Sequence, residues 1–362
     1  MAKVTVSTNM QAEQYQISPA FVRISTAAAM ALGLKSGRIY RDAACGCINL
    51  IQNYPQGCYA NCAYCGLARE RPGDPEDNTF IRVTWPLYDT DQLVQKIADQ
   101  EARGEVGRVC VSQVHDRRAN ADLLDIVARV RQAAPQVPIA ALVSAELLDE
   151  AQLLELKAAG VDIVGIGLDG ASEAVFDRTR GKGVRGPHTW AGHWRMARLA
   201  RRIFGPMNVN LHVIVGIGET DRDLVELFYQ LRGEQIAAYL FSFNPEPGTA
   251  LQDAPRAPLH RYRRIQLVKY LIEQHDLPRA AIAFDEPGAI ARLDAPDELV
   301  QAAIDGGLTF MTNGCPDRHG VMTCNRPYGS YRPGEPFRDY PFRPNADDID
   351  VIRRELRLEE LR

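Results

Sequence analysis

Six short runs of apolar and β-branched residues punctuate the chain: INLIQNY (48–54), RVCVSQV (108–114), PIAALVS (138–144), DIVGIGL (162–168), NVNLHVIVG (208–216) and AAYLFSFN (237–244). Amphipathic stretches lie between them, such as DTDQLVQKIADQEARG and SAELLDEAQLLELKAAG. In the second of these, Leu147, Leu148, Leu153, Leu154 and Leu156 approximate a helical stripe, and Gly160 is placed to cap its end. Strands that are apolar throughout, alternating with helices, predict a parallel sheet covered on its outer face. Six such units suit an α/β fold, a partial (β/α)6 TIM-like barrel; a flat doubly wound sheet has the same periodicity. Beyond residue 250, RAPLHRYRRIQLVKYLIEQHDLP reads as a helix and AAIAF as a short strand. Residues 313–345 are rich in Pro, Gly and Arg, so regular elements are not expected and their order needs another cause. The final DDIDVIRRELRLEELR reads as a solvated helix. The expected division is 1–44 as an N-terminal extension, 45–285 as the barrel, and 286–362 as an irregular C-terminal cap.

Composition narrows the class. The 362 residues are 46% hydrophobic and 24% charged, with a net charge of -4. That mildly acidic balance argues against broad nucleic-acid binding. No apolar run approaches the ~18–20 residues that cross a bilayer. The opening MAKVTVSTNMQAEQYQ has no basic segment followed by an apolar one, so a cytoplasmic location is expected. In that compartment clustered cysteines more often bind metal or do chemistry than form disulfides.

Three of the eight cysteines fall within GCYANCAYCG: Cys58, Cys62 and Cys65. Thiolates suit iron-sulfur clusters and zinc. Zinc sites usually pair their cysteines as C-x2-C; here only Cys62 and Cys65 are so spaced, and a zinc knuckle would need a distant fourth ligand. Three thiolates on one loop would leave one iron of a [4Fe-4S] cubane without a protein ligand, free to chelate a small molecule. The loop follows the first barrel strand, at the end where barrels place their chemistry.

This spacing, the aromatic Tyr64 before the third cysteine, and the position after strand one resemble the radical S-adenosylmethionine superfamily. The resemblance implies that the open iron is chelated by S-adenosylmethionine, whose reductive cleavage yields a 5'-deoxyadenosyl radical. Other strand ends resemble the biotin-synthase-like subgroup. VGIGET (215–220), with Gly216 and Gly218, looks like its adenine-contacting turn, although an ordinary strand-to-helix turn accounts for it equally. FNPEPGTAL (243–251), with Asn244 and Pro245, resembles the segment bordering the adenosyl moiety. Ser144 and Glu146 match positions that contact the methionyl amine and ribose, with a serine helix cap as the plain reading. Arg180, in preference to Arg178, is the candidate partner of the methionyl carboxylate.

Four more cysteines, Cys45, Cys47, Cys315 and Cys324, are candidates for a second, auxiliary [4Fe-4S] cluster. Cys45 and Cys47 are spaced so that a strand would put both thiols on one face. Cys110, inside RVCVSQV, reads as a small core residue or as a replacement ligand. The tail GCPDRHGVMTCNRPYGSYRPGEPFRDYPF and the segment FVRISTAAAMALGL resemble the two-subunit lipoyl synthases. That likeness implies sulfur insertion into a protein-bound octanoyl-lysine, with a sacrificial auxiliary cluster as sulfur donor. The implied partners are an octanoylated carrier protein or lipoyl domain, a paralogous radical subunit, and a ferredoxin or flavodoxin as electron donor. A carbon-skeleton mutase or metallocofactor maturase is the alternative, and an electron-carrying iron-sulfur protein a third. Residues 178–202 hold eight Arg or Lys and no acidic residue, including Arg198 and Arg201. They suit either a solvated face or the docking of an acidic carrier.

Overall fold

The computed structural model describes residues 16–73 and 79–361; the first fifteen positions of the expected extension lie outside the described residues. The strands, in chain order, are β1 (Phe21–Ile24), β2 (Cys47–Gln52), β3 (Leu87–Asp89), β4 (Arg108–Ser112), β5 (Ile139–Val143), β6 (Val161–Asp169), β7 (Val209–Val215) and β8 (Ala237–Ser242). They form one sheet in the order β3-β1-β2-β4-β5-β6-β7-β8. All six runs read from the sequence are the parallel strands β2 and β4 to β8. β1 and β3 were not anticipated; they extend the sheet antiparallel beyond β2. AAIAF contributes β9 (Ile282–Phe284), which pairs with β10 (Ile290–Leu293) in a separate ribbon.

Strands five places apart in a flat sheet would be about 24 Å apart. Here Asn49 of β2 and Tyr239 and Phe241 of β8 line one chamber. The sheet is therefore curled into a partial barrel, left open because β3 and β8 end it. Alternation then assigns two faces to strands that looked uniformly apolar. In β7, Val209, Leu211, Val213 and Val215 are buried beneath the outer helices. Asn210, His212 and Ile214, on the other face, line the interior.

The helix Glu150–Ala158 is shorter than the leucine stripe suggested. A capping box at Asp149 starts it, Leu153 and Leu156 are buried, and Leu154 is exposed. Gly160 follows its end with φ +96°, the left-handed conformation expected of a glycine there. No helix among the described residues is long and apolar enough to cross a membrane.

The irregular tail has its reason for order. It plugs the N-terminal end of the barrel: Thr323 packs against Gly46 and Gly107, just ahead of β2 and β4. Arg108, nearly fully buried, donates to Pro316 O at 2.6 Å and pairs with Asp162. The terminal helix Ala346–Leu356 is also more than solvated, since Ile349, Ile352 and Leu356 join the main core.

Arg263, on the helix Leu259–His275, staples these parts together. Its guanidinium donates to Glu355 (2.8 Å), Gln266 (2.9 Å) and Arg338 O (2.7 Å), with no exposure to solvent. Arg263→Leu strands the Glu355 carboxylate and two carbonyls, so it should cost about 3–5 kcal/mol. Urea unfolding should show the midpoint falling at constant slope; a loss under about 1 kcal/mol would show the staple to be dispensable.

Candidate active site

The loop between β2 and β4 that carries Cys58, Cys62 and Cys65 is held by its own backbone. Cys65 N donates to Cys62 O (3.1 Å), Tyr59 N to His115 O (2.9 Å) and Ala63 N to Thr179 O (2.7 Å). These bonds face the three thiols onto one cavity at the carboxyl ends of the strands, together with Tyr64, Ser144, Arg180 and Asn244. All eight cysteines are free thiols. Burial pushes each loop thiol upward, Cys62 to about 11, while the Arg180 guanidinium opposes that rise.

Arg180 is the cation beside the cysteine loop; Arg82 also lines the cavity. Arg180 Nη1 donates to Asp169 Oδ2 (2.6 Å), Tyr64 Oη (3.2 Å) and Cys62 Sγ (3.5 Å). The Tyr64 hydroxyl donates to the same Asp169 oxygen at 2.5 Å. Arg178 is exposed instead and reaches back to Gly218 O (3.4 Å). Asp169 escaped the sequence reading, although an acidic residue closing a barrel strand is a recognisable signal. It sits at φ +62°, turned into the cavity.

Ser144 stands at the start of the short 3-10 helix Ala145–Leu147, but its side chain makes no capping bond there; its hydroxyl is bonded to His115 Nδ1 at 2.8 Å. Four expected contacts fall outside the cavity lining: Glu146, Gly216, Gly218 and Pro245. Glu146 is turned onto His188, His193 and the Thr189 amide. The glycine turn folds on itself, with Gly216 N and Ile217 N donating to Glu219 (2.8 and 2.9 Å). A Cβ at Gly218 would meet the Arg178 guanidinium at 2.4 Å. His115, His188 and His212 line the cavity and were missed, since isolated histidines carry no pattern in one sequence.

A second chamber opens below the first, sharing Phe80, Ile81, Ser112, Leu142, His212 and Phe241 with it. Cys110, Cys315 and Cys324 line this second chamber, and Cys47 is buried in contact with the same cluster. Asn49 Nδ2 donates to Cys47 Sγ (3.5 Å) and Cys324 Sγ (3.7 Å). Hydrogen bonding from Cys47, against the cost of burial and with Arg326 nearby, lowers the Cys324 thiol to about 6. Cys110 packs against this group, whereas Cys45, expected in it, belongs to the main core, where burial and the neighbouring Cys324 charge raise its thiol to about 12. β2 begins at Cys47, so the i, i+2 rule does not reach Cys45, whose thiol packs in the main core and points at Cys47 O (3.6 Å). The long basic stretch also divides: Arg180 is in the cavity, while Arg198 is paired with Glu234 (2.8 Å) and Arg201 with Gln235 on the outer helices.

Residues 53–230 match the model of the radical SAM superfamily. The chain carries a radical SAM domain. Biotin synthase of Acaryochloris marina is 27% identical over 220 residues, 60% of this chain and 58% of that protein. Biotin synthase of Sulfurihydrogenibium sp. is 27% identical over 207 residues, 57% of each chain. This chain thus spans under two thirds of the length of those relatives. Among solved structures, methylornithine synthase is similar at 13% identity and a TM-score of 0.49, covering 92% of this chain and 86% of that one.

A radical SAM domain implies a [4Fe-4S] cluster and S-adenosylmethionine, and the residues present fit both. Three soft donors converge on one cavity. Three buried polar atoms of cavity-lining residues, Arg180 Nε, Ser242 Oγ and Asn244 Oδ1, lack partners among the described residues. Such orphans are costly unless a ligand satisfies them.

Proposed function

We propose that the chain is a radical S-adenosylmethionine sulfurtransferase that inserts sulfur at unactivated carbons, C6 and/or C8, of a protein-bound octanoyl-lysine. In this reading it is one subunit of a lipoyl synthase and shares the work with a paralogous partner. The observation that carries it is the second cysteine group, Cys47, Cys110, Cys315 and Cys324, set beneath the radical site inside the same barrel. Four thiols, two of them accepting from the Asn49 amide, are a donor set for a second iron-sulfur cluster, the source of the inserted sulfur.

The passage between the two sites supports an alkyl substrate. Phe80, Ile81, Leu142 and Phe241 line it, and Val83 and Trp85 widen the apolar wall below. An octanoyl chain would bury its methylenes there at a gain of about 0.8 kcal/mol each. Cys58, Cys62 and Cys65 would hold the first cluster, with Arg180 and Asn244 at the cofactor. When bound, that pair supplies one-electron, hydrogen-abstracting chemistry strong enough for an unactivated C–H bond. The protein contributes a water-poor channel and aligns the target carbon between the two sites.

The test is anaerobic reconstitution with iron and sulfide, followed by mass spectrometry of an octanoylated lysine peptide. The expected product carries one sulfur per modified carbon, together with 5'-deoxyadenosine. Cofactor cleavage that never yields a C–S bond, even with the paralogous partner added, would favour a mutase or maturase instead.

A further inference from the structure

Beside the cavity, on its β4 and β5 side, three histidines surround one carboxylate. His188 Nδ1 lies 2.6 Å from Glu146 Oε2, and His193 Nδ1 lies 3.1 Å from Oε1. The Thr189 amide donates to the same Oε1 at 3.0 Å. Glu146 is thus used up by the protein. Against the burial that would raise it, hydrogen bonds from His188 and His193 hold its carboxyl far below the usual range. Burial and the Arg180 charge lower His188 to about 3, so its imidazole is neutral at physiological pH. A neutral imidazole has one N–H, and here Glu146 takes it at Nδ1, leaving Nε2 as a bare acceptor. His188 lines the cavity. His193, by contrast, is sealed: it is fully buried and its Nε2 is unpartnered. The ring of His115 meets that of His188 edge-on at 5.3 Å and is itself tied to Ser144.

We propose that His188 positions the ribose of bound S-adenosylmethionine by accepting a hydrogen bond from a ribose hydroxyl at Nε2, and that Glu146 acts only through it. This rests on the cofactor reading above. In that reading the methionyl amine and carboxylate are already committed to the open iron and Arg180. A lone pair repels a carboxylate, whereas a hydroxyl is a neutral donor that suits a neutral acceptor. Glu146 therefore keeps a role in cofactor binding, exerted by fixing the tautomer and rotamer of His188, as carboxylates do for histidines elsewhere. His188 is a cofactor-binding residue and Glu146 a positioning residue.

Equilibrium dialysis on the reconstituted protein tests this with S-adenosylmethionine and its 2'-deoxy and 3'-deoxyribose analogues. His188→Phe should weaken S-adenosylmethionine about tenfold, the upper end for one hydrogen bond. Glu146→Gln should weaken it in the same direction, and His188→Gln, which restores an acceptor, should recover part of the loss. One deoxy analogue should bind the wild type about tenfold worse than the parent, yet bind His188→Phe as well as the parent does. Equal losses of that analogue on wild type and His188→Phe would overturn the assignment. So would a stoichiometric non-cluster metal, found by elemental analysis in the wild type and lost in His188→Phe, because His115, Glu146 and His188 would then be its ligands. A wild-type protein that binds no S-adenosylmethionine at all would sink the cofactor reading itself.

Discussion

Replacing Cys58, Cys62 and Cys65 together by alanine should leave a folded protein that forms no 5'-deoxyadenosine. The three thiols lie outside the main core: Cys58 packs at the edge of a small cluster around Ile51, Tyr54 and Trp85. Truncation of each removes about one methylene's worth of burial, roughly 1 kcal/mol, and the loop backbone keeps its own hydrogen bonds. The fold should therefore survive, as a thermal melt with an unchanged cooperative transition. Chemistry should not survive, because no other cysteine or methionine among the described residues lines the upper cavity. Chromatography after reduction in the presence of S-adenosylmethionine reads the result. Cofactor cleavage at the wild-type rate would show that the electron enters elsewhere and would remove the basis for calling this cavity the radical site.

The second large effect concerns the lower cysteines. The reconstituted wild type should hold about eight iron and eight sulfide, and the triple alanine variant about four of each, held by the second group. Adding Cys110→Ala to that variant should strip most of the remaining metal, whereas adding Cys45→Ala should not. The distinction follows from position: Cys110 packs against Cys47, Cys315 and Cys324, while Cys45 belongs to the main core. In an otherwise wild-type chain, Cys110→Ala should still make 5'-deoxyadenosine but no C–S bond. Iron analysis and peptide mass spectrometry check the two halves separately. Loss of metal with Cys45 and none with Cys110 would restore the pairing suggested by spacing along the chain. A triple variant with no iron would remove the sulfur donor altogether.

Much of the fold was legible because each barrel strand is a short apolar run and each covering helix an amphipathic one. The readings that moved did so for local reasons. Spacing of Cys45 and Cys47 implied a shared face only if both lay in the strand, and the strand starts at Cys47. Ser144 looked like a helix cap, yet only one 3-10 turn follows it, uncapped by its side chain, and the α-helix begins at Glu150 behind its own Asp149 cap, so the serine hydroxyl is bonded to His115 instead. The polar lining was partly readable in hindsight: Asn210 and His212 alternate with Leu211 and Val213, a period of two inside a run that passed as uniformly apolar.

By itself the sequence determined the barrel strands and the three-cysteine loop, because both are written in contiguous residues with their own periodicity or spacing. Tertiary structure alone decided the rest. Closure of the sheet brought β2 and β8 to one chamber, and the plugged tail carried Cys315 and Cys324 to Cys47 and Cys110. It also joined Glu146 to His188, 42 residues away, and Arg180 to Asp169 and Tyr64. Such pairs leave no spacing along the chain, since only the curvature of the sheet and the packing of the tail set the distance between them.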